Sequence, residues 1–328
     1  MKTTAAITGV AAYVPEYILK NEEMEQMVDT NNEWIVTRSG ISERRILKDK
    51  NKASAFMAAE AAKKLLAKKN ISPLDIELII VATVTPDHPF PATANKVADM
   101  IGARNAWSFD LQAACSSFLY ALNTASKFIE SGTHKKILVI GSDKMSSIID
   151  YSDRNTSILF GDGAGAVLLE PSTDGTGIID ARMYVDGSGK ESLFLPAGGS
   201  LLPTSLETIV NKKQYMRMDG KAVFKIAVVK MADVAAEMME RNNLKSEDVA
   251  FLTPHQANKR IIEATANRMG IGMDKVMLNI QKYGNTTSAT IPLCLSEWES
   301  QLKKGDNIIL TTFGAGYSWG GMYVKWSY

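Results

Sequence analysis

Cysteine is nearly absent from this chain. Its two residues, Cys115 and Cys294 among 328, sit at a spacing that fits neither a metal-ligand set nor a disulfide framework. Two free thiols with no secretion signal point to a reducing, cytoplasmic setting. A charge excess is missing too: 37 Lys and Arg against 36 Asp and Glu leave +1 at neutral pH, so the total charge calls for neither nucleic acid nor an anionic membrane as partner. No apolar run suits a membrane span, and MKTTAAITGVAAYVPE reads as a short strand, Ala5–Val10, with a turn. FGDGAGA (Phe160–Ala166) has glycines without GxGxxG spacing or a phosphate-loop lysine, so it reads as close backbone packing. What is present is an ordinary globular composition, 45% hydrophobic and 22% charged, with enough length for one large or two medium domains.

The scarce cysteine sits where the pattern changes. In Phe109–Leu122, FDLQAACSSFLYAL, a strand closes at Leu111 and small residues surround Cys115. Phe118, Leu119, Ala121 and Leu122 then take helical spacing. Cys115 is therefore expected near a helix N-terminus, where free N–H groups and the helix dipole lower a thiol pKa and favour a nucleophilic thiolate. Helices are also expected over 21–28 and 53–68, with the polar run TNNEWIVTRSGISERR between them. A strand over 76–83, a proline-rich loop over 85–93 and a helix to about Ile101 precede the cysteine segment. A helix to Gly132, a strand over 137–141, a polar loop over 142–156 and a glycine-led strand over 160–170 follow it.

The pattern then repeats. Asn70-Ile71 and Asp75–Ile79 match Asn243-Leu244 and Asp248–Leu252 at an offset of 173, and Cys115, Phe118 and Leu122 fall on Ser288, Ile291 and Leu295. The strand at 137–140 falls on 309–312 at 172. Two copies of one α/β unit, residues 1–172 and 173–328, are expected to form mainly parallel sheets with helices on both faces. A pseudo-two-fold would bring the helix starts near Cys115 and near Asn285–Ser288 toward one site.

Of three histidines, His255 follows the strand at 249–253, where α/β sheets present functional groups. Asn285 precedes a helix of small residues, and an N-cap role suffices for it on position alone. Backbone N–H groups in TTFGAGYSWGG (Thr311–Gly321) can join that of Cys115 in an oxyanion hole. Cys, His and Asn together also suit a papain-like protease, but a duplicated α/β unit is unlike those folds.

DTNNEWIVTRSGISERR, QAACSSFLYAL, FGDGAGAVLL, PHQANKRII, GNTTSA and FGAGYSWG, in this order over essentially the whole chain, resemble beta-ketoacyl-acyl-carrier-protein synthase III. The resemblance implies a thiolase-like fold, two pseudo-symmetric α/β halves in five α-β-α-β-α layers, and a cytoplasmic homodimer. It implies decarboxylative Claisen condensation of a short acyl-CoA primer with malonyl-acyl-carrier protein. No metal or resident cofactor is expected, and neither nucleic acid nor membrane. The catalytic set it implies is Cys115, His255 and Asn285, with an oxyanion hole from the N–H groups of Cys115 and Ala315. Trp34, Arg38, Arg154, Gly220 and Asn258 correspond to coenzyme A contacts. Lys225, Gln256, Ala257, Lys259, Arg260 and Arg268 correspond to carrier-protein contacts, and Phe90 to a primer-pocket residue reaching across the dimer. Degradative thiolases differ by a second C-terminal cysteine, and elongating condensing enzymes by a second histidine where Asn285 stands. A Cys-His-Asn acyltransferase of specialised metabolism is the alternative enzyme. A non-catalytic acyl-CoA-binding scaffold is disfavoured by the complete triad.

Overall fold

A computed structural model describes residues 3–328. Its first half lays down β1 (Thr4–Tyr13), α1 (Asn32–Ser39), α2 (Ser54–Lys69), β2 (Leu78–Ala82), α3 (Thr93–Ile101), β3 (Trp107–Leu111), α4 (Ser117–Glu130), β4 (Ile137–Lys144) and β5 (Asp162–Ser172). The second half follows with β6 (Gly177–Val185), α5 (Gly220–Arg241), β7 (Val249–Pro254), α6 (Lys259–Met269), α7 (Thr290–Trp298), β8 (Asn307–Gly314) and β9 (Ser318–Lys325).

Strand order is β1-β5-β4-β2-β3 in one sheet and β6-β9-β8-β7 in the other. The two orders are the same once β6 is set against β1, and a lone parallel bridge from Leu252 to Val276 stands where β3 would pair. Backbone conformation repeats as well. Left-handed φ values recur at matching positions of the two halves: Asn70 and Asn243 (52° and 53°), Ala114 and Thr287 (51° and 55°), and Gly132 and Gly305 (75° and 95°). The sheets are mixed, not mainly parallel as expected: β2 runs parallel to β3 and β4, and β7 to β8, while β1, β5, β6 and β9 pair antiparallel. The cause is local in the second half, where β8 returns directly into β9 through a tight turn and a hairpin cannot be parallel.

The apolar strands need cover on both faces, and this sets the layering. From β2 and β4, Leu78, Ile80, Ile137 and Val139 face inward, while Ile79, Val81, Leu138 and Ile140 face outward. The inward set packs on Phe118, Leu119, Leu122 and Ile129 of α4 and on Ile291, Cys294 and Leu295 of α7, with Ile308, Leu310, Met322 and Val324 of the other sheet closing the core. Leu65, Leu66 and Val97 of α2 and α3 cover one outer face, and Ala235, Met238 and Ile262 of α5 and α6 the other. The result is the five-layered α-β-α-β-α fold. Cys294 is part of this core.

One helix goes beyond the sequence reading. The polar run around Trp34 forms α1, capped by Asn31 Oδ1 accepting from Trp34 N at 2.8 Å and ended by Gly40 at φ 82°. The helix expected over 21–28 shrinks to Asn21–Met24 and β6 had no expectation, while the other elements marked in the sequence lie within a few residues; β4 runs on to Lys144, so that Asp143 falls in a strand instead of a loop. Among the described residues no helix is long and apolar enough to cross a membrane.

Candidate active site

Cys115 lies on a turn just ahead of α4. Ala114 holds left-handed φ, 51°, which an alanine tolerates only under constraint from its surroundings. The constraint comes from the other half of the chain. Thr312 Oγ1 donates to Cys115 O at 3.0 Å, Ser116 Oγ to Ser318 O at 3.0 Å, and Ser318 Oγ to Ala113 O at 2.9 Å. Gly314 fits against Cys115: a Cβ there would stand 2.7 Å from Cys115 N. The β8–β9 turn puts its left-handed residue at Gly316, φ 130°, and leaves Ala315 outside that region, so alanine at that position carries no strain.

The thiol differs from expectation. Burial, with the Asp143 carboxylate second, pushes Cys115 up to about 12 from its ordinary 9. That rise corresponds to roughly 4 kcal/mol against the thiolate, more than the ~0.3–2 kcal/mol a helix terminus offers. The resting group is a thiol. His255, directly after β7 with its backbone N–H donating to Thr311 O at 2.8 Å, is 1% exposed, and burial pushes its ring down to about 3. Thiol and imidazole are thus both neutral across the physiological range.

His255 Nδ1 lies 2.7 Å from Thr290 Oγ1, and that hydroxyl lies 3.0 Å from Thr287 O. Thr287 O also receives the backbone N–H of Thr290, so the hydroxyl can turn to Nδ1 without orphaning the carbonyl. In that orientation the neutral ring carries its proton on Nε2. Asn285 does not cap α7; a 3-10 turn, Thr287–Ala289, intervenes. Its Oδ1 accepts from Thr287 N at 2.8 Å, which directs Nδ2 away from the turn as a donor. Its backbone is clamped by Leu159 O and Gly161 N at 2.8 and 3.1 Å. The glycines of FGDGAGA allow this approach, since a Cβ on Gly161 would meet Tyr283 O at 2.3 Å and one on Gly165 would meet Pro292 at 2.6 Å.

Cys115, His255 and Asn285 line one cavity of about 710 Å³ together with Phe313 and Gly314. The same cavity reaches Trp34, Arg38, Gly220, Ala257, Asn258 and Arg260. Arg38 and Arg154 each stack on Trp34, at 4.7 and 4.6 Å from the ring centroid. Asn258 caps α6 through Arg260 N and donates from Nδ2 to Arg38 O at 2.8 Å, tying the second half to α1.

Other expected residues fall differently. Gln256 is fully buried: Nε2 donates to Pro254 O and Met277 O, and Oε1 accepts from Asn279 N and Ile280 N. It braces the loop behind His255 and cannot touch a docked protein. Lys225, Lys259, Arg260 and Arg268 are exposed. Arg260 stacks on Phe224 at 4.8 Å, Lys259 pairs with Glu263 at 3.6 Å and Arg268 with Asp233 at 3.4 Å, so part of the basic surface is neutralised locally. Phe90 is 85% exposed and lines no part of its own chain's cavity. The sequence placed Ser288 opposite Cys115 in the repeat without giving it a contact, and it left out Thr290 and Asp143; of these two Asp143, closing the apolar strand ILVIGSD, carried a signal, as a carboxylate at a strand's carboxyl end.

Comparison with known proteins agrees with this architecture. Two family models match, 3-oxoacyl-[acyl-carrier-protein] synthase III over residues 109–187 and the C-terminal part of the same family over 239–326. A beta-ketoacyl-[acyl-carrier-protein] synthase III of Chlorobium chlorochromatii is 60% identical over 98% of this chain and 99% of its own. One from Bacteroides thetaiotaomicron is 53% identical over 100% and 98%. The crystal structure of the Aquifex aeolicus 3-oxoacyl-[acyl-carrier-protein] synthase III superposes with a TM-score of 0.90 at 43% identity, covering 98% of this chain and all of that one. With fold, motifs and full-length relatives in agreement, the chain belongs to the beta-ketoacyl-[acyl-carrier-protein] synthase III family of condensing acyltransferases.

Proposed function

We propose that the protein condenses a short acyl-CoA primer with malonyl-acyl-carrier protein, releasing carbon dioxide and forming a 3-oxoacyl-acyl-carrier protein that starts fatty-acid synthesis. The observation that carries this reading is the convergence of Cys115, His255 and Asn285, from both halves of the chain, on one cavity that extends to the Trp34–Arg38 stack. Trp34 and Arg154 receive the adenine ring, Arg38 a phosphate, and Gly220 and Asn258 flank the pantetheine arm. Cys115 Sγ attacks the acyl carbonyl: the C–S bond to coenzyme A breaks, the new thioester forms, and the thiol proton leaves with the coenzyme A thiolate. The N–H groups of Cys115 and Ala315 receive the transient oxyanion.

Malonyl-carrier protein then docks over Lys225, Ala257, Lys259, Arg260 and Arg268, at a site in a homodimer where Phe90 limits the partner's primer pocket. The malonyl C–C bond to its carboxylate breaks, carbon dioxide departs, and the electron pair enters an enolate. His255 Nε2–H and Asn285 Nδ2–H stabilise that enolate, each by roughly 3 kcal/mol. The neutral imidazole suits this task, because it donates without needing a buried positive charge. The enolate carbon attacks acyl-Cys115 and frees the thiolate, which is reprotonated. The division at residue 172 separates the half bearing the nucleophile from the half bearing the donors.

Incubation with acetyl-CoA and malonyl-carrier protein, read by mass spectrometry of the carrier, tests this. A 3-oxobutyryl-carrier product that requires both substrates is expected. Acetyl transfer to another acceptor, with malonyl-carrier protein left intact, would instead favour a specialised acyltransferase and overturn the proposal.

A further inference from the structure

We propose that Asp143 is a positioning residue for the condensation step, its carboxylate fixing the turn that aims both Asn285 and His255 into the cavity. This rests on the reading of those two residues as the enolate donors.

Asp143 closes β4 in the first half, is fully buried, and has no cation paired with it among the described residues. Six hydrogen bonds take the place of a counter-ion. Oδ1 accepts from Thr83 Oγ1 at 3.0 Å, Val84 N at 2.7 Å, Thr85 N at 3.1 Å and Thr85 Oγ1 at 2.9 Å. Oδ2 crosses to the second half and accepts from Ser288 N at 3.0 Å and from Ser288 Oγ. Ser288 directly follows Thr287, a β-branched residue at φ 55° and so strained. Thr287 N holds the Asn285 amide at 2.8 Å, and Thr287 O receives the backbone N–H of Thr290, whose hydroxyl contacts His255 Nδ1. One backbone unit therefore sets the direction of both donors, and Asp143 grips the residue after it.

The grip is specific to a carboxylate. An asparagine of the same shape would present its NH₂ either to the four donors on the Oδ1 side or to Ser288 N–H. The Oδ1 side would set that NH₂ against two backbone N–H groups, Val84 and Thr85, whereas the Oδ2 side sets it against one, beside a Ser288 hydroxyl that can accept because its proton has a second acceptor in Ala82 O at 2.8 Å. Asp143→Asn thus keeps the Thr83–Thr85 side and releases the Thr287–Ser288 turn. The Cys115 turn is held by different partners, Thr312 and Ser318, and stays in place.

The test measures two half-reactions separately: acetylation of Cys115 from acetyl-CoA by intact mass, and carbon dioxide release from malonyl-carrier protein. In Asp143→Asn, acetylation is expected to hold or rise, because the carboxylate charge that helps to raise the Cys115 thiol is gone, while decarboxylation falls about 10- to 100-fold through kcat with KM unchanged. Ser288→Ala, which loses only the hydroxyl, is expected to show the same split at about fivefold and decides the matter if Asp143→Asn does not fold. Equal loss of both half-reactions, or no loss in either, would overturn the positioning role. Failure of wild type to acetylate Cys115 or to decarboxylate would instead overturn the functional reading on which the role depends.

Discussion

Ala114 and Thr287, at matching positions of the two halves, both take left-handed φ just before the residue that leads into a central helix, Cys115 in one half and Ser288 in the other. The strand end facing each entrance differs. Beside Cys115 N lies Gly314, with room for nothing larger, and the thiol opens onto the cavity. Beside Ser288 N lies the Asp143 carboxylate, which takes both the backbone N–H and the hydroxyl. On the proposed mechanism the two halves thus offer equivalent entrances, of which Cys115 takes the nucleophile's place and the Asp143 charge makes the second a brace. The difference teaches that the entrance geometry alone does not make a reactive centre; what the opposite strand places against it decides.

The comparison can be broken most severely at the donors. His255→Ala and Asn285→Ala are each expected to lower condensation by about 10²–10³-fold while Cys115 is still acetylated, measured as product formation against intact mass. Comparable loss of acetylation would show that the two entrances share one task. At the strand ends, Gly314→Ala presses a methyl onto Cys115 N and is expected to slow acetylation about 10²-fold in a folded protein. Gly141→Ala, whose Cβ would stand 2.2 Å from Ser288 O, should lower the melting temperature instead. Loss of acetylation in both, with stability unchanged, would erase the asymmetry.

A gentler probe is pH. Because burial lowers the folded-state pKa of His255 to about 3 from 6.5, the unfolded chain binds the extra proton first as pH falls. Stability should drop through the window from 6.5 toward 3, by at most about 1.4 kcal/mol per pH unit from this group. His255→Gln should flatten that slope in denaturant titrations; an unchanged slope would mean the ring is not held neutral. The smallest effect is at the cavity mouth. Trp34→Ala should raise the acetyl-CoA KM by about 5- to 20-fold through lost stacking and leave kcat near wild type.

The layered fold was legible because both signals it needs lie in the sequence itself: apolar strands such as ILVI and LIIVA, and the recurrence of the first half's pattern in the second. The mixed direction of the strands was legible only at the tight β8–β9 turn; β5 pairs with β1 and β4 by contacts that no short window records. Cys115, His255 and Asn285 stood out through strand ends and small-residue turns, and the structure brings all three to one cavity. The thiol pKa was misjudged because a helix start is visible in sequence, while burial and the charge of Asp143, on a strand beyond α4, are not. Gln256 was misplaced for the same reason: adjacency to His255 gave no sign that its amide faces Met277 and Asn279. Thr290, Ser288 and Asp143 gain meaning only when the halves meet.

On the proposed mechanism one entrance reacts and its duplicate is closed. Labelling with isotopic acetyl-CoA followed by peptide mapping tests it most directly. The label is expected on the peptide bearing Cys115 alone and is lost in Cys115→Ala. Label on Ser288 or Cys294, or acylation that survives Cys115→Ala, would contradict it.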